Sequence, residues 1–155
     1  EERKIVFSGD IGNKSKPLIR DPQYISEADY VVMESTYGNR YHKKTTTYVE
    51  SLTRIIQETL DRSGNVVIPA FAVGRTQELL YMIRHIKEHN LVHGHDGFLV
   101  YVDSPLAVEA TQVFTENLLD CYDDETKALV ERGINPIDFK GFQLPVMNPK
   151  TSILT

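Results

Sequence analysis

The apolar positions of this chain fall into short β-branched runs that alternate with longer stripes of helical period. Ile5-Val6-Phe7 and Val31-Val32-Met33 are compact runs of the first kind, so residues 4–7 and 30–34 read as strands. Residues 14–29 between them are polar and hold Pro17 and Pro22, which makes them mostly connection. Residues 45–61 read as a helix: Thr47-x-x-Glu50 is a capping box, Leu52, Ile55, Ile56 and Leu60 form the apolar stripe, and Gly64 is the stop. A βα unit then repeats. Residues 65–71 read as a strand, Ala72-Val73-Gly74 as a small-residue turn, and residues 75–89 as a helix with Leu79, Leu80, Ile83 and Ile86 on one side. Residues 97–102 predict the next strand, and Ser104 with Pro105 opens a helix running to about residue 119, serine as N-cap and proline at the first helical position. A short helix is expected over residues 124–132, and the stretch from Gly133 onward is rich in Pro and Gly. Strands alternating with helices predict an α/β fold, a Rossmann-like parallel sheet flanked by helices.

Composition narrows the class. A chain of 155 residues with 41% hydrophobic content suffices for one domain and the edge of another. No apolar run approaches the roughly 18 residues of a membrane span, so no membrane partner is expected. The charged start Glu1-Glu2-Arg3-Lys4 is unlike a signal peptide. The single cysteine, Cys121, rules out an internal disulfide and a multi-cysteine zinc site, and suits a cytoplasmic location. A net charge of −5 argues against a general nucleic-acid-binding surface. The charge is uneven, however: residues 1–44 hold 8 Lys/Arg against 7 Asp/Glu, and the remainder 9 against 15. Arg40, His42, Lys43 and Lys44 form a local basic cluster, either a solvated loop or a phosphate-facing rim.

The candidate chemistry sits at strand ends. Asp10, in Ser8-Gly9-Asp10-Ile11-Gly12, follows the first strand between glycines that let the backbone turn sharply, and its carboxylate suits Zn, Mn or Mg. Glu34, in Glu34-Ser35-Thr36-Tyr37-Gly38, repeats the device after the second strand. Each alone has a bland alternative, a common turn for Asp10 and a cap or salt bridge for Glu34. Gly74-Arg75-Thr76 starts a helix directly after a strand, where N–H groups and a guanidinium favour phosphate, although the sequence is no Walker loop. Asp103-Ser104-Pro105 holds the same topological place one unit later, with helix capping as its bland reading. His85, His89, His93 and His95 read as a polar helix C-terminus and surface loop rather than a metal cluster. The tyrosines show no stacking pattern for a single strand.

Together these motifs resemble the metallo-β-lactamase-fold nucleases that carry a β-CASP domain. The resemblance rests on Phe7-Ser8-Gly9-Asp10-Ile11-Gly12, on Glu34-Ser35-Thr36-Tyr37-Gly38, on Ile68-Pro69-Ala70-Phe71-Ala72-Val73-Gly74-Arg75-Thr76-Gln77-Glu78-Leu79-Leu80 and on Val102-Asp103-Ser104-Pro105-Leu106-Ala107, in order and at compatible spacing over most of residues 4–107. It implies that Asp10 matches the fourth-motif aspartate that bridges two zinc ions. Glu34 matches the acidic residue of motif A, catalytic in its support of a histidine that acts on the leaving group. Residues 1–38 would then be the C-terminal part of a metallo-β-lactamase-fold segment and residues 39–155 a partial β-CASP domain covering the active-site cleft. Arg75 and Ser104 would face that cleft and contact RNA backbone as substrate-binding residues.

The resemblance also implies what is missing. The family's His-x-His-x-Asp-His motif belongs upstream of Asp10, and its later histidines belong beyond this chain. The chain thus reads as a fragment of a zinc-dependent RNA-processing phosphodiesterase, whose intact parent would use two zinc ions on single-stranded RNA. The fragment is expected to hold no zinc stably, to be inactive and to show little affinity for RNA. Open sheet edges make a homodimer an admissible state. The alternative is a non-catalytic Rossmann-like module holding phosphate at the Gly74 and Ser104 helix starts, with saturable, salt-sensitive RNA binding.

Overall fold

The computed structural model describes residues 2–40, 48–116 and 121–143. The expected Thr47 cap, the basic residues His42, Lys43 and Lys44, and the last turn of the helix read to residue 119 lie outside the described residues. The elements, in chain order, are β1 (Ile5–Phe7), β2 (Tyr30–Val32), α1 (Tyr48–Leu60), α2 (Arg75–Glu88), β3 (Val100–Tyr101), α3 (Pro105–Glu116), α4 (Asp124–Glu131) and β4 (Phe142–Gln143). The architecture is mixed α/β with two small parallel sheets, β1 beside β2 and β3 beside β4.

Helix starts follow local chemistry. Ser104 Oγ accepts the Ala107 N–H at 3.2 Å, and Asp123 Oδ1 accepts the Thr126 N–H at 2.8 Å, so α3 and α4 begin at side-chain caps. The helix from Arg75 starts where the sequence places it, after Gly74 at φ +82°, a conformation glycine adopts without a Cβ clash. Helix α2 is the centre of the core. Leu80 and Tyr81 pack with Val102, Ala107, Tyr122, Leu129 and Ile137 in one cluster, while Ile86 joins Ile56 and Val92 in a second. Helix α1 buries Ile56 alone among its residues, and Ile55, expected in its apolar stripe, is exposed.

Two features depart from the sequence pattern. Residues 65–71 form no ladder, and Val67 and Phe71 are 87% and 86% exposed. A strand exists only where a neighbour completes its hydrogen bonds. Here the segment borders an open groove of about 380 Å³ whose lining includes Val66, Ile68, Ala70, Val100 and Val102. The second departure is Leu18, in the segment read as connection. It is fully buried in the main core at φ +83°. Its carbonyl accepts the Asp123 N–H, Arg20 donates to the Cys121 carbonyl, and Ile19 bridges Tyr122. The connection between β1 and β2 is thereby tied to the segment entering α4.

Candidate functional site

The parallel pairing of β1 with β2 matches Ile5 to Tyr30, Val6 to Val31 and Phe7 to Val32. Both strands end on the same side, so the turns carrying Asp10 and Glu34 emerge together. The Ser8 N–H donates to the Val32 carbonyl at 2.9 Å, and Ser8 Oγ accepts the Glu34 N–H at 3.2 Å. Glu34 Oε1 in turn accepts the Ile11 N–H at 2.9 Å. The carboxylate of one motif thus holds the backbone of the other, one residue beyond Asp10, in a turn whose glycines Gly9 and Gly12 sit at φ +56° and +62°. That hydrogen bond, followed by one from the Thr36 side chain, keeps the Glu34 carboxyl below the usual range. Asp10 itself is exposed.

The metal that the resemblance implies asks for several donors around one point. Among the described residues no group of three or more His, Cys, Asp and Glu side chains could hold a metal ion. Asp10 offers one carboxylate, and Glu34 already spends an oxygen on Ile11. The residues described here do not by themselves fit a zinc site. The histidines gather elsewhere. The His85 and His89 rings lie 4.1 Å apart on α2. His95 Nε2 meets Asp61 Oδ1 at 2.9 Å, and the His93 N–H donates to Gln57 at the end of α1. These contacts clamp the loop after α2 to α1, and the His95 bond lowers the Asp61 carboxyl.

The two residues expected to contact substrate line different hollows. Ser104 borders the open groove with Asp103 and Thr76. Arg75 lines a separate hollow of about 250 Å³ with Lys16, Phe71, Val73, Glu78 and Phe114. The helix N-terminus beside Arg75 is occupied by the chain itself. The Gly74 N–H donates to Gln77 Oε1 at 2.7 Å, the Arg75 N–H to the Val73 carbonyl at 3.1 Å, and the Thr76 N–H to the Phe71 carbonyl at 3.3 Å. Those donors are not aimed at solvent, so an anion here relies on side-chain charge. Gln77, which the sequence pattern did not single out, is fully buried and also donates to the Ala72 carbonyl and Thr111 Oγ1. Glu78 is likewise buried and bridges Lys16 at 3.0 Å and Arg75 at 2.8 Å.

Residues 76–151 match the β-CASP domain family. A ribonuclease of Thermus thermophilus is 35% identical over 146 residues, covering 93% of this chain and 32% of that protein. An RNase J-like protein of Methanocaldococcus jannaschii is 33% identical over 137 residues, covering 86% and 31%. Endoribonuclease YSH1 of Eremothecium gossypii is 27% identical over 139 residues, covering 88% and 18%. The chain therefore spans about a third or less of the length of these relatives. With the domain match and the ordered motifs, it belongs to the β-CASP family of metallo-β-lactamase-fold RNA-processing nucleases.

Proposed function

We propose that this chain is the part of a zinc-dependent RNA-processing phosphodiesterase that carries one metal-ligand turn and the first part of the substrate-covering β-CASP domain. The observation that carries the reading is the coupling of the two acidic motifs: Glu34 holds the Ile11 N–H and so fixes the turn that presents Asp10. Its support comes from relatives named as ribonucleases that align along nearly the whole chain. In this reading the whole protein supplies the histidines that join Asp10 around two zinc ions. Glu34 keeps Asp10 in place and supports the leaving-group histidine, and Arg75 and Ser104 contact the RNA backbone. The chain alone then lacks hydrolase activity, and the whole protein acts in the cytoplasm, a location that the single cysteine of this chain suits.

The alternative, a phosphate-binding module without catalysis, needs free donors at the helix starts. It is weakened by the internal partners of the Gly74, Arg75 and Thr76 N–H groups. The test is cleavage of single-stranded RNA by the whole protein with and without a chelator, beside the 155-residue chain. Cleavage that stops on chelation, returns with zinc and is absent from the chain supports the reading. Chelator-resistant cleavage, or cleavage by purified chain free of contaminating nuclease, overturns it.

A further inference from the structure

The hollow beside Arg75 combines three features that a single-stranded nucleic acid uses together. Phe71 is an aromatic ring left 86% exposed at its rim. Its backbone is not loose, because the Phe71 carbonyl accepts both the Thr76 N–H at 3.3 Å and Thr76 Oγ1 at 2.8 Å. The backbone that presents the exposed ring is therefore anchored to the first turn of α2. Beside it stand two cations, Lys16 and Arg75, joined to one buried carboxylate, Glu78. Two positive charges against one negative leave a net positive hollow on a chain of net charge −5. Glu78 also fixes where the two cationic groups sit, which lowers the entropy cost of presenting them to an anion.

We propose that Phe71, Lys16 and Arg75 form a nucleotide subsite for single-stranded RNA, with one base stacked on the Phe71 ring and its phosphate held by the two cations. Stacking on a ring is tolerant of base identity, because every base has a π-face. The subsite thus contributes affinity and register without sequence choice. The proposal rests on the RNA-processing reading above, and it adds Phe71 and Lys16 to the residues expected to meet substrate. The open groove at Ser104 has a separate lining and would take a different part of the strand.

The chain contains no tryptophan, so Phe71→Trp gives a single reporter at the ring position. The fluorescence of that variant is titrated with an adenine-containing oligoribonucleotide and with the same strand made abasic. A second variant, Tyr30→Trp, places a reporter at an exposed aromatic position at the start of β2, outside both hollows, as control. Binding by the isolated chain is expected at the weak, non-specific end, about 10⁻⁴ M at physiological salt. The subsite predicts saturable quenching by the base-containing strand at position 71, little quenching by the abasic strand, and little at position 30. In the otherwise unchanged chain, Phe71→Ala weakens binding about tenfold, with Phe71→Tyr restoring it. Lys16→Ala and Arg75→Ala each reduce the salt dependence. The exposure of Phe71 keeps loss of fold from explaining its result, and circular dichroism checks the cation variants. Binding that is indifferent to Phe71→Ala overturns the subsite and leaves the RNA reading standing. No quenching at millimolar strand also overturns the subsite, while the cleavage assay on the whole protein judges the RNA reading separately.

Discussion

At the residue scale, the account turns on single hydrogen bonds that link motifs distant in sequence. Glu34 and Ile11 are the clearest pair. The Glu34 carboxyl is depressed first by the Ile11 N–H, so its charged form is favoured in the folded state. A group with a lowered folded value contributes order that is complete above its unfolded value, the ordinary glutamate range. That order is lost as pH falls through the lower folded value. The Ile11 amide resonance is therefore expected to titrate with a midpoint below the ordinary glutamate value. Glu34→Ala should abolish that response and Glu34→Gln should keep the hydrogen bond without the titration. An Ile11 amide with an ordinary or absent midpoint would mean the turn is not held this way. Gln77 offers a second test. It is buried with Gly74, Ala72 and Thr111 as partners, so Gln77→Ala takes the partner from the Gly74 N–H and the Ala72 carbonyl, while the Thr111 hydroxyl keeps its bond to the Ala107 carbonyl. A loss of about 2 kcal/mol is expected in a urea titration; a loss within a few tenths would show that water replaces the side chain. Asp10 and Glu34 could be picked out by their glycine-flanked and strand-end settings. Gln77 and Phe71 could not, because polar burial and aromatic exposure are decided by which segments meet, and no local pattern encodes that.

At the element scale, helices were legible and strands only in part: residues 4–7 and 30–34 pair as β1 and β2, and the end of residues 97–102 forms β3. A helix closes its hydrogen bonds within itself, so periodicity and caps such as Ser104 and Asp123 suffice to locate it. Residues 65–71 have the composition of a strand but form no ladder, since a strand depends on a neighbour it does not itself supply. Residues 142–143 pair with β3 although Pro and Gly around them suggest only loop. Leu18 is the strongest case of tertiary context overriding local preference. Its backbone occupies the left-handed region, which costs about 1 kcal/mol for a residue with a Cβ, and its burial in the main core outweighs that cost. Leu18→Ala is expected to destabilise by about 2–5 kcal/mol in chemical denaturation. A neutral result would place the residues 18–20 segment outside the cooperative core. Helix α2 adds a pH dependence of its own. Burial first, and then His89 and Arg84, hold His85 below the ordinary histidine value, so the unfolded chain binds its proton more readily. Stability from this group is present above the ordinary histidine value and falls as pH drops through the lower folded one. His85→Gln should flatten that part of the stability–pH curve, and an unchanged slope would assign it to another group.

At the scale of the whole molecule, the chain presents the Asp10 turn, a buried helix α2 and two hollows at the start of helices α2 and α3. It does not bring Arg75 and Ser104 into one pocket, and its described residues gather no metal-ligand cluster. The chain spans a third or less of the length of these relatives. Much of the β1–β2 sheet is likewise exposed, with Phe7, Val31 and Val32 more than half accessible. Apolar strand residues in that state contribute little burial energy, so the order of the Asp10 turn rests on its hydrogen bonds with Glu34 and Ser8. The central claim is that this turn serves a metal-dependent RNA-cleaving centre. Its most direct test is the rate of single-stranded RNA cleavage by the whole protein carrying Asp10→Asn, against the unaltered protein at saturating zinc. The account predicts a loss of about a hundredfold or more, as expected when a metal ligand rather than an outer-shell partner is removed. Cleavage at an unchanged rate would contradict it and take Asp10 out of the catalytic centre.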